Sequence, residues 1–312
     1  MHIFEKILSQ DIFRKEPLVL VDIGASGELY PKWQKIRKHS VCISFDADDR
    51  DFEVCQSQDD TFLTHHKVNR LVSDTEGNKC FYLTEFPHCS SMLEPDEEEL
   101  KKFYFSPFFK VRKSIVLKAT TLPKVLNELG IQRIDWYKSD SQGVDLRIFQ
   151  SLDQDMQSQI TIAEFEPGIM DAYRGEDKLY DIMKSARSSK FMVLDMQVKG
   201  SHLIGEKMKN QMNFLKLFRP NMFFETIPGW AEVAFFNKLK VDNALTSERD
   251  VYVAWMFATI MKKHALAQMI VCESECRSPL IEEMRIYSEN RIRFGYLKFF
   301  FVLPVNFLKR FL

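Results

Sequence analysis

The sequence predicts an α/β protein with a mainly parallel sheet flanked by helices. Three observations carry this. LVLVDIGASGE (Leu18 to Glu28) is an unbroken apolar run closed by an acid and glycines. IDWYKSDSQGVDLRIFQSL (Ile134 to Leu152) passes from a short apolar segment through small polar residues into an amphipathic helix. Along the rest of the chain, apolar runs alternate with helical patterns, as in a sheet whose strands are joined by crossover helices. Strands buried on both faces read as continuous hydrophobic runs, and ligands bind at the carboxyl edge of such sheets.

The first strand is Leu18 to Ile23, and the second is Val41 to Phe45, ending in Asp46-Ala47-Asp48-Asp49. Lys67 to Val72 reads as a third, ending in Ser73-Asp74. TEGNKCFYLTEF gives a turn at Gly77-Asn78 and then an extra strand. EPDEEELKK (Glu94 to Lys102) is a solvated loop or helix face. TTLPKVLNELG reads as a helix with Thr and Pro at its start and Gly130 at its end. It feeds the strand Ile134 to Tyr137. The next helix spaces Val144, Ile148 and Leu152 four apart with Phe149 beside them, which buries one face. Ile160 to Gly168 is a further strand ending in carboxylates, followed by a helix around Lys178 to Ala186. FMVLDMQV and WAEVAFFN then form an antiparallel pair at the sheet edge. From Val241 two long helical patterns begin near Ser247 and near Pro279, the first with Val253, Phe257, Ile260 and Met261 on one side. The expected division is a sheet domain over residues 1–240 and a helical C-terminal extension over 241–312.

The 312 residues are 45% hydrophobic and 28% charged, the composition of an ordered globular chain. A net charge of −1 offers no general attraction for nucleic acid, so none is expected as partner. The six cysteines lack the paired C-x-x-C spacing of a zinc site, which fits reduced thiols in the cytoplasm and no bound metal. MHIFEKILSQDIFRKEP interleaves charges with apolar residues and does not read as a signal peptide. No apolar run approaches the ~20 residues that span a bilayer. RIRFGYLKFFFVLPVNFLKRFL interleaves Arg and Lys with Phe. It reads either as a helix lying on the inner membrane face or as one docking on the body or a partner subunit, interrupted at Pro304. Peripheral membrane contact or self-association is therefore expected of residues 290–312. The 27 phenylalanines imply a thick aromatic core or an exposed apolar surface.

Asp22-x-Gly24-x-x-Gly27 follows a strand, as a loop that admits a nucleoside must. Glycine lets backbone N–H groups approach a ligand and permits positive φ, although a plain tight turn leaves the same pattern. Asp46 lies 22 positions beyond Gly24. A carboxylate that accepts ribose hydroxyls sits roughly 20 residues on, and Asp48 or Asp49 can also take that role. Ser73 and Asp74 stand at the third strand's edge, near an adenine or in an Asx turn. Asp140, Gln142 and Gly143 need an explanation outside folding. A core strand gains nothing from Asp at its end, and capping by Ser141 requires neither Asp140 nor Gln142. Asp145 can serve the helix dipole alone. Glu164 and Glu166 alternate along a strand and give one inward carboxylate at most. His65 and His66, adjacent in a strand, point to opposite faces and argue against a metal site. His88 and Cys89 are candidates for a pocket wall. There is no G-x-S-x-G elbow and no P-loop.

With these residues set out, the chain resembles the FkbM family of S-adenosylmethionine-dependent methyltransferases over about Leu18 to Asn237. The resemblance rests on VDIGASG, SFDADD, NRLVSDTEGNKCFYLTEFPHCSSML and above all IDWYKSDSQGVDLRIF. In the last, a strand ending in Lys-x-Asp-x-Gln-Gly and then an acid is matched by Lys138, Asp140, Gln142, Gly143 and Asp145. It implies a class I methyltransferase (Rossmann-like) sheet of seven strands, mostly parallel with an antiparallel last strand. It also implies S-adenosyl-L-methionine as cofactor. Asp22, Gly24 and Gly27 would cradle the methionine end, Asp46 the ribose, and Ser73 and Asp74 would lie near the adenine. Gln142 joins these cofactor contacts and, with Asp140, borders the transfer site. Family members methylate hydroxyl groups of polyketides and saccharides, so the expected acceptor is a small-molecule or glycan hydroxyl. An alcohol nucleophile needs a base, and the candidates are Asp140, Glu164 and His88, in that order. The glycine loop departs from the family pattern with Ser26 where Asn is frequent and one residue fewer, and Asp46 stands where Glu is common. Both changes retain polar atoms. Two other classes compete. An NAD(P)-dependent oxidoreductase shares the ribose carboxylate, but the shortened glycine loop counts against it. A non-catalytic scaffold, attached through its tail, has no use for acids at three strand ends.

Overall fold

The computed structural model describes residues 3–25, 30–48, 50, 62–204, 225–242 and 245–308, with side chains through 295 in the last helix. Gly27 and Asp49, both candidates above, lie outside the described residues. The chain divides into two compact units, one of Leu18–Pro31 and Ser40–Asn237, the other of Met1–Pro17, Lys32–His39 and Lys238–Leu312.

The first unit contains β1 (Leu18–Ile23), β2 (Ser40–Phe45), β3 (Thr64–Val68), β4 (Val72–Ser73), β5 (Gly77–Thr84), β6 (Val111–Thr121), β7 (Trp136–Ser139), β8 (Ile162–Phe165), β9 (Phe191–Ser201) and β10 (Ile227–Asn237). Seven of them form a central sheet in the order β3-β2-β1-β7-β8-β10-β9. β1 pairs in parallel with β2 and β7, β2 with β3, and β7 with β8. β10 runs antiparallel to both its neighbours, β8 and β9, and lies between them. The fold is therefore α/β with a mostly parallel seven-stranded sheet. β4, β6 and β5 form a separate three-stranded sheet in that order.

All six residues of β1 are buried, which is why its sequence is one apolar run. The helix Leu122–Glu128 ends beside Gly130, whose φ of +68° supplies the left-handed exit. Phenylalanine builds the core between sheet and helices: Phe149 lies edge-on to Tyr137 at 5.2 Å and to Phe165 at 5.3 Å, and Phe165 meets Phe235 at 5.9 Å. Such edge-to-face pairs favour the ring quadrupoles beyond the area they bury.

Several expectations are corrected. The third strand is not Lys67 to Val72. It is split into β3, which ends at Val68, and β4, which begins at Val72 in the other sheet. Val72 belongs to the small sheet, so joining it to the histidine-bearing strand merged two elements. β6 has no counterpart in the sequence reading. Its Arg112, Lys113, Ser114 and Lys118 are exposed or half-exposed, and they interrupt the alternation that marks a strand.

Among the described residues of the second unit three helices follow Val241, not two: Glu248–Ile260, His264–Glu273 and Pro279–Leu308. Lys262, at φ +59°, turns the chain between the first two. The helix Glu248–Ile260 is buried nearly all round rather than along one stripe, from Val251 through Thr259. Even Arg249 is buried, and it donates to the carbonyls of Glu16 and Pro17 at 3.2 and 3.1 Å. The last helix continues through Pro304, which does not end it. No helix among the described residues is long and apolar enough to cross a membrane.

Trp255 is fully buried in this unit, packs against Phe4 and Tyr287, and donates from Nε1 to Ser288 Oγ at 2.9 Å. Trp255→Ala is expected to destabilise the helical unit by about 3–5 kcal/mol, the cost of a large cavity, with Ser288 losing its donor as well. Urea unfolding followed by circular dichroism measures the loss.

Candidate functional site

The carboxyl ends of β1, β7 and β8 bring one row of charges together. Asp22, Lys138 and Glu164 occupy adjacent register positions on three parallel strands, with Lys138 in the middle. Lys138 Nζ donates to Asp22 Oδ1 at 2.7 Å and lies 5.4 Å from the centre of the Tyr30 ring. Glu164 accepts from Trp136 Nε1 at 2.7 Å and from the Tyr30 hydroxyl at 2.6 Å. Burial opposes the charge on Lys138, but Asp22, Asp140 and Glu164 outweigh it and raise its pKa.

Beyond β7 the chain turns through two left-handed residues, Gln142 at φ +56° and Gly143 at φ +101°. Asp145 accepts from Ser139 Oγ, from Ser141 N at 2.8 Å and from Ser141 Oγ at 2.7 Å. It therefore ties the loop together rather than only serving the helix dipole. The first amides of the helix Asp145–Gln150 are capped from afar, by Asp177 Oδ2 at 3.0 Å from Leu146 N and 3.1 Å from Arg147 N. Gln142 Nε2 donates to Asp140 Oδ1 at 2.5 Å. Its own Oε1 lies 2.9 Å from the Tyr173 hydroxyl, which is also 2.8 Å from the Cys89 carbonyl. Burial pushes the Asp140 carboxyl up to about 6, against the pull of Lys138 and with help from the charge of Asp145.

Asp140 borders three cavities. The first, about 60 Å³, is lined by Gly24, Phe45, Asp46, Ala47, Leu71, Val72, Phe81, Met92 and Ser141 among others. The second, about 310 Å³, has an aromatic wall of Phe86, Phe105, Phe108, Phe109, Tyr173 and Trp230. Its polar members include His88, Gln142, Glu166 and Glu176. The third, about 150 Å³, is bordered by Tyr30, Lys138, Glu164, Glu166 and Glu232.

The candidates distribute unevenly over these spaces. Gly24 and Asp46 line the first cavity together, whereas Asp48 does not. The Asp48 carboxylate is held by Arg50, which also reaches Thr84 O and Ser90 Oγ. Asp22 stands two residues before Gly24 and is engaged by Lys138. Ser73 is buried and donates to Asp74 Oδ1 at 2.8 Å, and neither residue lines a cavity described above; their neighbour Val72 does. Gln142 and His88 line the second cavity, with the His88 ring 4.8 Å from that of Phe86. Glu164 reaches only the third. Glu166 lines both the second and the third, so the expectation of at most one inward carboxylate is corrected. Side chains two apart along a strand face the same side, so alternation itself sets Glu164 and Glu166 on one face, and both border the third cavity. Glu166, Tyr173, Glu176 and Trp230 escaped the sequence reading as site residues. The dense FYFSPFF run, residues 103–109, was the one local signal for the aromatic wall.

A nucleoside-bearing cofactor fits the first cavity by its donor set. A Cβ on Gly24 would lie 2.0 Å from the Asp140 carbonyl oxygen, so this position is open only to glycine. A buried carboxylate, Asp46, stands opposite apolar walls from Leu71, Val72, Phe81 and Met92. At about 60 Å³ the enclosed space is smaller than a nucleoside, and a ligand there must project past its walls.

Gly24→Ala adds a left-handed strain of roughly 1–2 kcal/mol to a backbone clash, and its denaturation midpoint is expected to fall well below that of the parent protein. Gly295→Ala, with open space around the new methyl, is expected to gain about 0.5–1 kcal/mol as a helical Gly→Ala change. For Asp140 the folded pKa of about 6 exceeds its ordinary 3.8. Its contribution to stability is therefore complete below pH ~4 and lost as pH rises through about 6. Asp140→Asn should then melt higher than the parent at about pH 7.5, by the equivalent of ~1–3 kcal/mol, and equally at about pH 4. Comparison of the chain with protein-family models and with curated proteins gave no match.

Proposed function

We propose that this chain is an S-adenosylmethionine-dependent O-methyltransferase that acts on a hydroxyl of a saccharide, glycan or similar polyol. The observation that carries the reading is the position of Asp140, on the shared border of the Gly24–Asp46 cavity and the large aromatic cavity. One compartment has the residues for a nucleoside and the other the size for an acceptor. A group between them can act on both. The resemblance to the FkbM family, the seven-stranded order and the antiparallel last strand support the same reading.

When bound, the cofactor supplies an activated methyl group on a sulfonium. Asp46 would accept hydrogen bonds from the ribose, and Gly24 lets the backbone close on the ligand. Leu71, Val72, Phe81 and Met92 would flank the base. The work left to the protein is alignment and removal of one proton. Asp140 is suited to the second task, because a carboxyl near 6 is ionised at neutral pH yet more basic than an ordinary aspartate. It would accept the hydroxyl proton as the oxygen gains the methyl. Gln142 fixes its orientation through Oδ1, and Lys138 holds the surrounding carboxylates in place. Glu164, spent on Trp136 and Tyr30, serves this framework rather than the acceptor.

Isothermal titration with S-adenosylhomocysteine, with NAD as the parallel titrant, tests the assignment. The expected result is micromolar binding of the first alone, weakened about tenfold or more in Asp46→Ala by loss of the charged hydrogen bonds. Asp140→Asn is expected to keep most of that binding and lose methyl transfer. Binding of NAD in place of S-adenosylhomocysteine, or of neither, refutes the proposal.

A further inference from the structure

The large cavity combines aromatic rings with carboxyl groups, and no Lys or Arg is among the described residues that line it. The rings form connected sets: Phe105 lies 6.1 Å from Trp230 and 5.2 Å from Phe109, which is 5.6 Å from Tyr173. Phe86 and Phe108, 5.3 Å apart, are each more than 40% exposed, at 43% and 48%. Three carboxyls join them. Glu176 is answered by Lys178 Nζ at 2.6 Å, and Asp140 has Gln142 with Lys138 nearby. Glu166 has no hydrogen bond or ion pair among the described residues. Burial, then the charges of Asp140 and Glu232, push its carboxyl up to about 9.

A neutral acceptor with an apolar face has use for the rings but leaves Glu166 unanswered, and an anionic acceptor is repelled. A cation satisfies both halves of the wall, because aromatic faces attract it and its charge draws the proton off the buried Glu166 carboxyl, which then ionises against it. We propose that the acceptor carries a protonated amine, as an amino sugar or amino polyol does, seated between the rings and the Glu166 carboxylate with a neighbouring hydroxyl at Asp140. The hydroxyl's part rests on the methyl-transfer reading above; the ammonium subsite does not.

Ligand-observed NMR of the full chain saturated with S-adenosylhomocysteine, titrated at neutral pH with glucosamine, glucose and glucuronate, reads the subsite directly. Glucosamine is expected to bind about tenfold more tightly than glucose, the worth of one charge-assisted contact, and glucuronate more weakly than either. Glu166→Gln should bring glucosamine to the level of glucose while S-adenosylhomocysteine binding is retained, which also reports folding. Trp230→Leu, apolar but without the ring, should lower glucosamine affinity in the same direction. Equal affinity for glucosamine and glucose, or no binding of glucosamine, overturns the proposal. So does a Glu166→Gln protein that loses preference for S-adenosylmethionine over S-adenosylhomocysteine but keeps its glucosamine affinity, because the carboxylate then serves the sulfonium. Loss of S-adenosylhomocysteine binding in the parent protein with the glucosamine preference intact defeats the methyltransferase reading and leaves the ammonium subsite standing.

Discussion

The carboxyl ends of β1 and β7 approach so closely that the carbonyl oxygen of Asp140 occupies the place a side chain would take on Gly24. The contact is locked from both directions. Asp140 N donates to Ile23 O, and Gly24 N donates to Phe45 O, each at 2.9 Å. Three neighbouring strands thus end at one level, and the strand order reverses there, with β2 beside β1 on one side and β8 beside β7 on the other. That reversal is the switch point at which open α/β sheets form crevices. Every polar group of the candidate site is measured out from this one missing methyl.

A second layer of control lies just beneath. The Asp22–Lys138–Glu164 row places a cation between two carboxylates on adjacent strands. A buried ion pair adds little stability over an apolar substitute, yet losing one member leaves an uncompensated charge. Its return here is positional. Glu164 fixes Tyr30 and Trp136, Asp22 fixes Lys138, and the positive field of Lys138 tempers the acidic groups around it. The same residues that look catalytic by type are in part a frame that holds others still.

The parts of this architecture that sequence displays are those with a local cause. β1, β2 and β8 are buried along their whole or nearly whole length, and this writes continuous apolar runs. Asp140, Gln142 and Gly143 stand out because polar and left-handed residues at the end of an apolar strand serve no packing purpose. The aromatic cavity is different. Its walls come from residues as far apart as Phe86 and Trp230, and only tertiary convergence makes them neighbours. β6 hides for another reason, since a strand with charged residues on its exposed face lacks the periodic signal. In the helix Glu248–Ile260 the spacing of Val253, Phe257 and Ile260 marks one side, but a helix buried nearly all round has no single inward face.

β10 is the last strand of its unit along the chain, yet it lies inside the sheet and supplies Gly229 and Trp230 to the large cavity. Its final residue, Asn237, clasps the carbonyls of Ser158 and Ile160, both at 2.9 Å. A chain leaving the ribosome amino end first completes β7 and β8 early and β9 later. Until β10 follows, one side of β8 is an open edge and β9 has no partner strand at all. Such an intermediate exposes edges prone to wrong pairing, a hazard of sheets built from distant segments. The wall that β10 gives to the large cavity is thus the last part of the binding surface that the unit acquires during synthesis.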